Sequence, residues 1–320
     1  MEEKKRPLII LTGPTAVGKT ALSVRLAKEL DGEIVSADSM QVYRRMDIGT
    51  AKVTAEEMEG VPHHLIDVLE PEESFNVVTF VNMAREALEG IYKRGRIPIL
   101  TGGTGFYIQA LAFDVQFEAH EESDYRAGLR ILAREKGPEY LHAMLDSVDP
   151  AYASQIHANN VKRVIRALEF YHETGNQLSE HNRRERVKES PYDLAYFVLN
   201  CRREVLYDRI DRRVDRMMEL GLPEEACGLI RGGLTEDMTS MQGIGYREFF
   251  PYLRGEWSLE QTVEQIKKDT RHFAKRQLTW FRREKEVIWM DKESFLNEDE
   301  LLEEMLGRIP WCRLNRGSLS

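Results

Sequence analysis

Residues 13 to 20 read GPTAVGKT, which meets the pattern G-x-x-x-x-G-K-[ST] at every fixed position. Such a loop does chemistry on phosphate. Gly13, Pro14, Thr15, Ala16, Val17 and Gly18 form the cradle, whose N–H groups are expected to point inward, with the positive end of a following helix behind them. Lys19 would neutralise phosphate oxygens, and the Thr20 hydroxyl would hold Mg²⁺. The competing reading is a tight strand-to-helix turn with incidental glycines, which would have no use for Lys19.

A nucleoside triphosphatase normally adds a second acid at a strand end to support the metal and its water. Here the strand "RIPIL" runs into "TGG" with no acid, while Asp38 and Asp291 end other strands. Nothing resembles a guanine-reading N-K-x-D. Further along, "LYDRIDRRVDRM" places Arg209 and Arg213 four residues apart on one helix face. Two guanidinium groups in that arrangement suit diphosphate oxygens, because they bind in pairs and stay charged. The same spacing also fits a surface salt-bridge row with Asp208, Asp211 and Asp215.

These groups need a scaffold that holds loops at strand ends. "RPLIILTG" reads as a strand running into the loop, and "KTALSVRLAKEL" as a helix with Leu22, Leu26 and Leu30 on one face. "GEIVSAD" is a second strand ending on Asp38, "RIPILTGGTGFY" a third, and "DLAYFVLN" and "EVIWMD" two more. Strands alternating with helices predict an α/β fold, a P-loop NTPase-like parallel sheet with flanking helices. From about Asp114 to Ser190 no strand is evident, and "NNVKRVIRALEFYHETG" places Val161, Val164, Ile165 and Leu168 on one side. The expected organisation is therefore a discontinuous core, 1–115 and 190–309, an inserted all-helical subdomain, 116–189, and a frayed tail, 310–320.

The chain has 320 residues, 42% hydrophobic and 31% charged, with net charge −9. That describes an ordinary soluble protein, and the short apolar run Leu8–Leu11 neither spans a membrane nor serves as a signal peptide. Cys201, Cys227 and Cys312 are widely spaced and read as reduced thiols in a cytoplasmic protein. The negative charge argues against nucleic acid until its distribution is considered. Lys267 to Lys285 holds eight Lys/Arg against two acids, and Asp291 to Glu304 seven acids against one Lys. Such segregation gives either a basic face on an acidic protein or a solvated helix followed by an acidic one.

Six strings taken together are specific: "GPTAVGKT", "SADSMQVYRRMDIGTAK", "PHHLIDV", "GGTGFY", "MQGIGYRE" and "RHFAKRQLTWFRR". In this order and spacing, from about residue 8 to residue 291, the chain resembles the tRNA dimethylallyltransferases (tRNA isopentenyltransferases). Eukaryotic relatives add a zinc finger; this sequence lacks its Cys/His spacing and is similar to the short bacterial-type form. The resemblance implies transfer of a dimethylallyl group from its diphosphate to N6 of the adenosine 3′-adjacent to the anticodon, in tRNAs reading codons that begin with U. The partners it implies are the tRNA anticodon stem-loop and dimethylallyl diphosphate, the cofactor Mg²⁺, and the working form a cytoplasmic monomer with no membrane contact.

The resemblance also distributes roles. The loop, with Arg209 and Arg213, would hold the pyrophosphate leaving group, with metal on Thr20. Asp38 would accept the N6 proton, since the exocyclic amine is a poor nucleophile; otherwise it is a turn aspartate. Thr104 would add a hydroxyl beside the base, or else serve the turn. Ser39, Met40 and Gln41 would meet the RNA with Asp38 and Thr104, Gln41 reading an adenine edge. Further tRNA contacts are expected from Lys162, Arg163 and Arg166; from Gln242, Gly243, Gly245 and Arg247 through backbone amides and a cation; and from Lys275, Arg276, Gln277, Trp280 and Arg282. His63 and His64 are expected to be structural, although metal or acid–base roles remain open. A P-loop kinase of a small metabolite or nucleoside is the rival, but it has no evident use for "SADSMQVY" or "QGIGYRE". A nucleotide-binding RNA switch without chemistry is a second rival. Whether a nucleotide also enters the loop is left open.

Overall fold

In the computed structural model, which describes residues 5–115, 124–185 and 188–312, six strands form one sheet. They are β1 (Arg6–Thr12), β2 (Gly32–Ser36), β3 (His63–His64), β4 (Ile97–Gly102), β5 (Tyr192–Asn200) and β6 (Val287–Asp291), in the order β3-β2-β4-β1-β5-β6. Every pairing is parallel, with Ile9 of β1 opposite Ile99 of β4 and Ala195 of β5. Leu8, Ile9, Ile10 and Leu11 are all fully buried. That is why β1 reads as an unbroken apolar run: a parallel sheet covered on both faces leaves no polar alternation.

The α/β class and parallel sheet expected from the sequence are what the structure has. Two details differ. β3, only two residues long, carries no periodicity to detect, and it pairs Ile34 with His63 and Val35 with His64. β2 stops at Ser36, so Asp38 lies in the loop beyond the strand.

The chain divides into two compact units, Met1–Asp114 with Pro191–Ser320, and Val115–Ser190. The elements described in the second unit are all helices, and they close around Leu129, Leu141, Leu145, Val164 and Leu168. Buried Asp149 ties that unit's turns together, accepting from Tyr152 N, Ser179 N and Ser179 Oγ.

In the first unit, the helix Lys19–Leu30 starts at Gly18, whose φ of 97° turns the chain out of the phosphate loop. The 23-residue helix Leu259–Phe281 opens with a capping box between Ser258 and Gln261. It lies against the helix Arg203–Glu219 through Lys267–Asp215 at 2.6 Å and Arg271–Asp211 at 2.5 Å. The acidic segment forms the helix Glu298–Arg308, whose Leu301 and Met305 join the core. Trp311 and Cys312, expected in the tail, pack against that same core; residues 313–320 lie outside the described ones. Among the described residues no helix is long and apolar enough to cross a membrane.

Candidate active site

The phosphate loop occupies the turn between β1 and the helix Lys19–Leu30. Gly13 has φ 146°, and a Cβ there would sit 2.5 Å from Leu199 O of β5; glycine is required by both angle and space. Lys19 Nζ donates to Gly13 O at 3.1 Å and to Pro14 O at 2.9 Å. Its pKa falls to about 8, chiefly through burial and then through the charge of Arg213, against which Asp38 acts. The cradle is narrower than the motif implies. Thr15 N donates to Gln277 Oε1 at 2.9 Å and Val17 N to Pro14 O at 3.4 Å, while Pro14 has no N–H. Neither Thr15 nor Val17 therefore offers its amide inward.

Beside the loop lies a cleft of about 330 Å³. Thr15, Ala16, Gly18, Lys19 and Thr20 line one wall, Ser36, Asp38 and Gln41 another, and Arg209 and Arg213 a third. Among the described residues Asp38 is the only carboxylate in the lining. The salt-bridge alternative for the two arginines fails because the acids are taken elsewhere. Asp208 pairs with Arg212 at 3.1 Å, Asp211 with Arg271 and Asp215 with Lys267. Neither Arg209 nor Arg213 has an ion-pair partner among the described residues. Burial lowers the pKa of Arg213, and Asp38 partly restores it.

Asp38 does two things at once. Its Oδ1 accepts from Met40 N at 2.9 Å and Gln41 N at 3.4 Å, which closes the turn after β2. Its Oδ2 accepts none of the described hydrogen bonds. Thr104, at the end of the loop after β4, braces this turn from both sides: its N donates to Ala37 O at 3.2 Å and its Oγ1 accepts from Ser39 N at 3.3 Å. Thr104 is absent from the cleft lining, so what the geometry gives it is support of the Asp38 turn. Gln41 anchors its Nε2 on Thr50 O and Ala51 O, at 3.3 and 3.1 Å, leaving Oε1 as its unspent group.

The family model described as IPP transferase matches residues 41–284, and that described as Isopentenyl transferase matches residues 7–71. A tRNA dimethylallyltransferase of Lachnoclostridium phytofermentans is 55% identical over 302 residues, 94% of this chain and 96% of that protein. The chain belongs to the tRNA dimethylallyltransferase family. Among solved structures, the full-length tRNA isopentenylpyrophosphate transferase from Bacillus halodurans superposes with a TM-score of 0.73 at 44% identity, covering 98% of this chain and 100% of that one. A eukaryotic dimethylallyltransferase acting on tRNA gives 0.79 at 29% identity, covering 94% of this chain and 78% of that one.

In this structure the two histidines part company. His64 Nε2 meets Glu33 Oε2 at 2.7 Å. Glu33 is buried under Arg94 and Arg96, and the hydrogen bonds from Arg94 above all hold its carboxyl down at about 2. His63 lines the cleft, with Nδ1 on Val61 O at 2.9 Å, and burial lowers its pKa.

The RNA candidates sort by what already occupies them. Lys275, Arg276 and Arg282 are exposed and have no ion-pair partner among the described residues. Gln277 is corrected: it is buried, with both ends of its amide spent on Thr15 N and Gly103 O. Trp280 is partly buried, packed so closely on Gly105 that a Cβ there would be 2.3 Å from its ring. The "QGIGYR" amides are also corrected, since Gly243 N goes to Ser240 O and Gly245 N to Glu248 Oε2. Gly243 packs on Met40, Gln242 Nε2 donates to Glu236 O, and Arg247 is held by Glu248 and Asp269, both at 2.7 Å. In the second unit Lys162 and Arg163 are exposed, whereas Arg166 leans on buried Glu169 at 3.4 Å.

Sequence reasoning missed Glu225, whose carboxylate accepts from the N–H groups of Asp47, Ile48 and Gly49 and from Tyr246 OH. It also missed Lys292, whose Nζ pairs with Glu298 at 2.7 Å and lies 3.0 Å from where a Gly18 Cβ would stand. Both act across the fold, and no local pattern announces either.

Proposed function

We propose that this enzyme transfers the dimethylallyl group of dimethylallyl diphosphate to N6 of the adenosine 3′-adjacent to the anticodon of tRNA, in tRNAs reading codons that begin with U. The arrangement that supports it is a phosphate loop and two guanidinium groups, without ion-pair partners among the described residues, around a single carboxylate with one unspent oxygen. The allylic C–O bond breaks and the N6–C bond forms. The diphosphate leaves into the loop, stabilised by Lys19, Arg209 and Arg213, and the N6 proton passes to Asp38 Oδ2. Thr104 keeps the Asp38 turn in place.

Thr20 fits Mg²⁺: it lines the cleft, and its hydroxyl makes none of the described hydrogen bonds. Mg²⁺ takes one or two protein oxygens together with substrate phosphates and water, so no larger cage is required. When bound it would add neutralisation of the leaving group. Lys275, Arg276 and Arg282 are the cations offered to the RNA backbone, with Lys162 and Arg163 on the second unit. The working form is a cytoplasmic monomer.

The test is mass spectrometry of tRNA incubated with the protein, dimethylallyl diphosphate and Mg²⁺. The expected product carries one added C5H8 on a single adenosine. Unchanged tRNA together with ATP-dependent phosphorylation of a small molecule would assign the cleft to a kinase instead.

A further inference from the structure

Two loops that belong to different halves of the cleft are held by one buried amide. Gln277 Oε1 accepts from Thr15 N in the phosphate loop at 2.9 Å, and Nε2 donates to Gly103 O in the loop after β4 at 2.9 Å. With one end facing a donor and the other an acceptor, the amide has a single workable orientation. The receiving loop is shaped for it: a Cβ on Gly103 would lie 2.1 Å from Gln277 Nε2. The next residue, Thr104, bonds Ala37 O and Ser39 N, the neighbours of Asp38 on either side. A path of hydrogen bonds, joined by the Gly103–Thr104 peptide bond, therefore runs from Thr15 through Gln277, Gly103 and Thr104 to the turn that carries Asp38. The helix bearing Gln277 also presents Lys275 and Arg276 to solvent.

We propose that Gln277 is a positioning residue that fixes the separation between the diphosphate and Asp38, and that couples RNA seating on this helix to seating of the phosphate loop. This rests on the reaction proposed above. Coupling carried by this strut is reciprocal by thermodynamic linkage: whatever one ligand does to the affinity of the other is returned in equal measure.

Two variants test it. Gln277→Met keeps the volume and removes both hydrogen bonds; Gln277→Glu keeps the acceptor for Thr15 N and loses the donor to Gly103 O. In the native protein inorganic pyrophosphate should tighten binding of an anticodon stem-loop by about fivefold or more. In Gln277→Met that ratio should fall to near unity, with each ligand's Kd alone little changed, and kcat should drop by about a hundredfold from displaced reactants. Gln277→Glu should lie between. A folded Gln277→Met with native kcat and native synergism overturns the proposal, as does loss of both separate affinities, which marks a packing role. If Gln277→Met does not fold, native kcat and synergism in Gln277→Glu overturn it alone. Native protein that shows the synergism but transfers no prenyl group overturns the reaction and leaves the strut standing.

Discussion

Lys19 and Arg213 repel one another across the cleft, and Asp38 is the one carboxylate that opposes both. Lys19, Arg209 and Arg213 set against Asp38 in the cleft lining, partly removed from water, form a site that is electrostatically incomplete without a ligand. A diphosphate supplies the missing charge.

The first prediction concerns the proton on Lys19. In the ligand-free protein its pKa is about 8, so above that pH the side chain is increasingly neutral. Bound diphosphate favours the ammonium, so binding at higher pH must take up a proton. Calorimetry in two buffers of different ionisation enthalpy should find that uptake above pH 8 and little of it at pH 6.5. The profile of kcat/KM for the diphosphate should fall on the alkaline side near the free-enzyme value. Uptake that is the same at both pH values would remove Lys19 from the site.

Arg213 separates function from stability. Arg213 is half-buried in the cleft wall without an ion-pair partner among the described residues, and a charge drawn partly out of water costs folding free energy. Arg213→Met should therefore raise the Tm of the ligand-free protein; a gain of about 1 kcal/mol corresponds to roughly 1–2 °C for a chain of this size. The same variant should lose most of the Tm increase that pyrophosphate gives the native protein. A lower ligand-free Tm with native pyrophosphate stabilisation would mean that Arg213 serves the fold.

Glu33 makes stability depend on acid. Its folded pKa is about 2, held there first by hydrogen bonds from Arg94, against about 4.3 for a glutamate in an unfolded chain. A depressed carboxyl contributes stability that is fully present above the unfolded value and is lost as pH falls toward the folded one. Urea titrations should thus show a decline between pH 4.5 and pH 2, of which Glu33 contributes about 2 kcal/mol after allowance for its partly exposed arginine partners. Glu33→Gln should be less stable at pH 7 and should flatten that decline. An unchanged slope would place the acid sensitivity elsewhere.

The site was readable in the sequence where its residues are close along the chain. The loop from Gly13 to Thr20 has a fixed pattern, and Arg209 and Arg213 share a helix face by spacing alone. Which role those arginines take could not be read, because it depends on Asp211 and Asp215 being taken by Arg271 and Lys267 of another helix. Gln277 sits in a basic, aromatic string and reads as an RNA contact; only the fold shows Gly103 and Thr15 closing around its amide. β3 was out of reach for a similar reason, since two residues have no period and only pairing with β2 defines them.

Exposed and paired cations should separate by salt. Removing charge at Lys275, Arg276 or Arg282 should weaken tRNA binding and flatten its dependence on salt by about one unit of slope for each phosphate no longer neutralised. Arg247→Gln should leave the slope unchanged, because its guanidinium is already spent on Glu248 and Asp269. Filter binding between low and moderate salt measures both. If Arg247 changes the slope and the other three do not, the RNA path crosses the "QGIGYR" face.

The last prediction concerns Asp38, whose two oxygens have different work. Oδ1 closes the turn through Met40 N and Gln41 N, a task that an asparagine carbonyl performs as well. Oδ2 is the oxygen that would take the N6 proton, and in Asp38→Asn an amide NH₂ stands there. Turnover should consequently fall by roughly 10²- to 10⁴-fold, the usual contribution of a general base. Affinities for stem-loop and pyrophosphate should change by less than about tenfold, because the turn and the loop survive. Asp38→Ala removes both functions and should add a loss of RNA affinity that Asn does not show, as the turn holding Ser39, Met40 and Gln41 relaxes. Single-turnover kinetics beside equilibrium binding separates the two. Near-native turnover in Asp38→Asn would hand the proton to water, and equal RNA affinity in Asn and Ala variants would show that the turn does not depend on Oδ1.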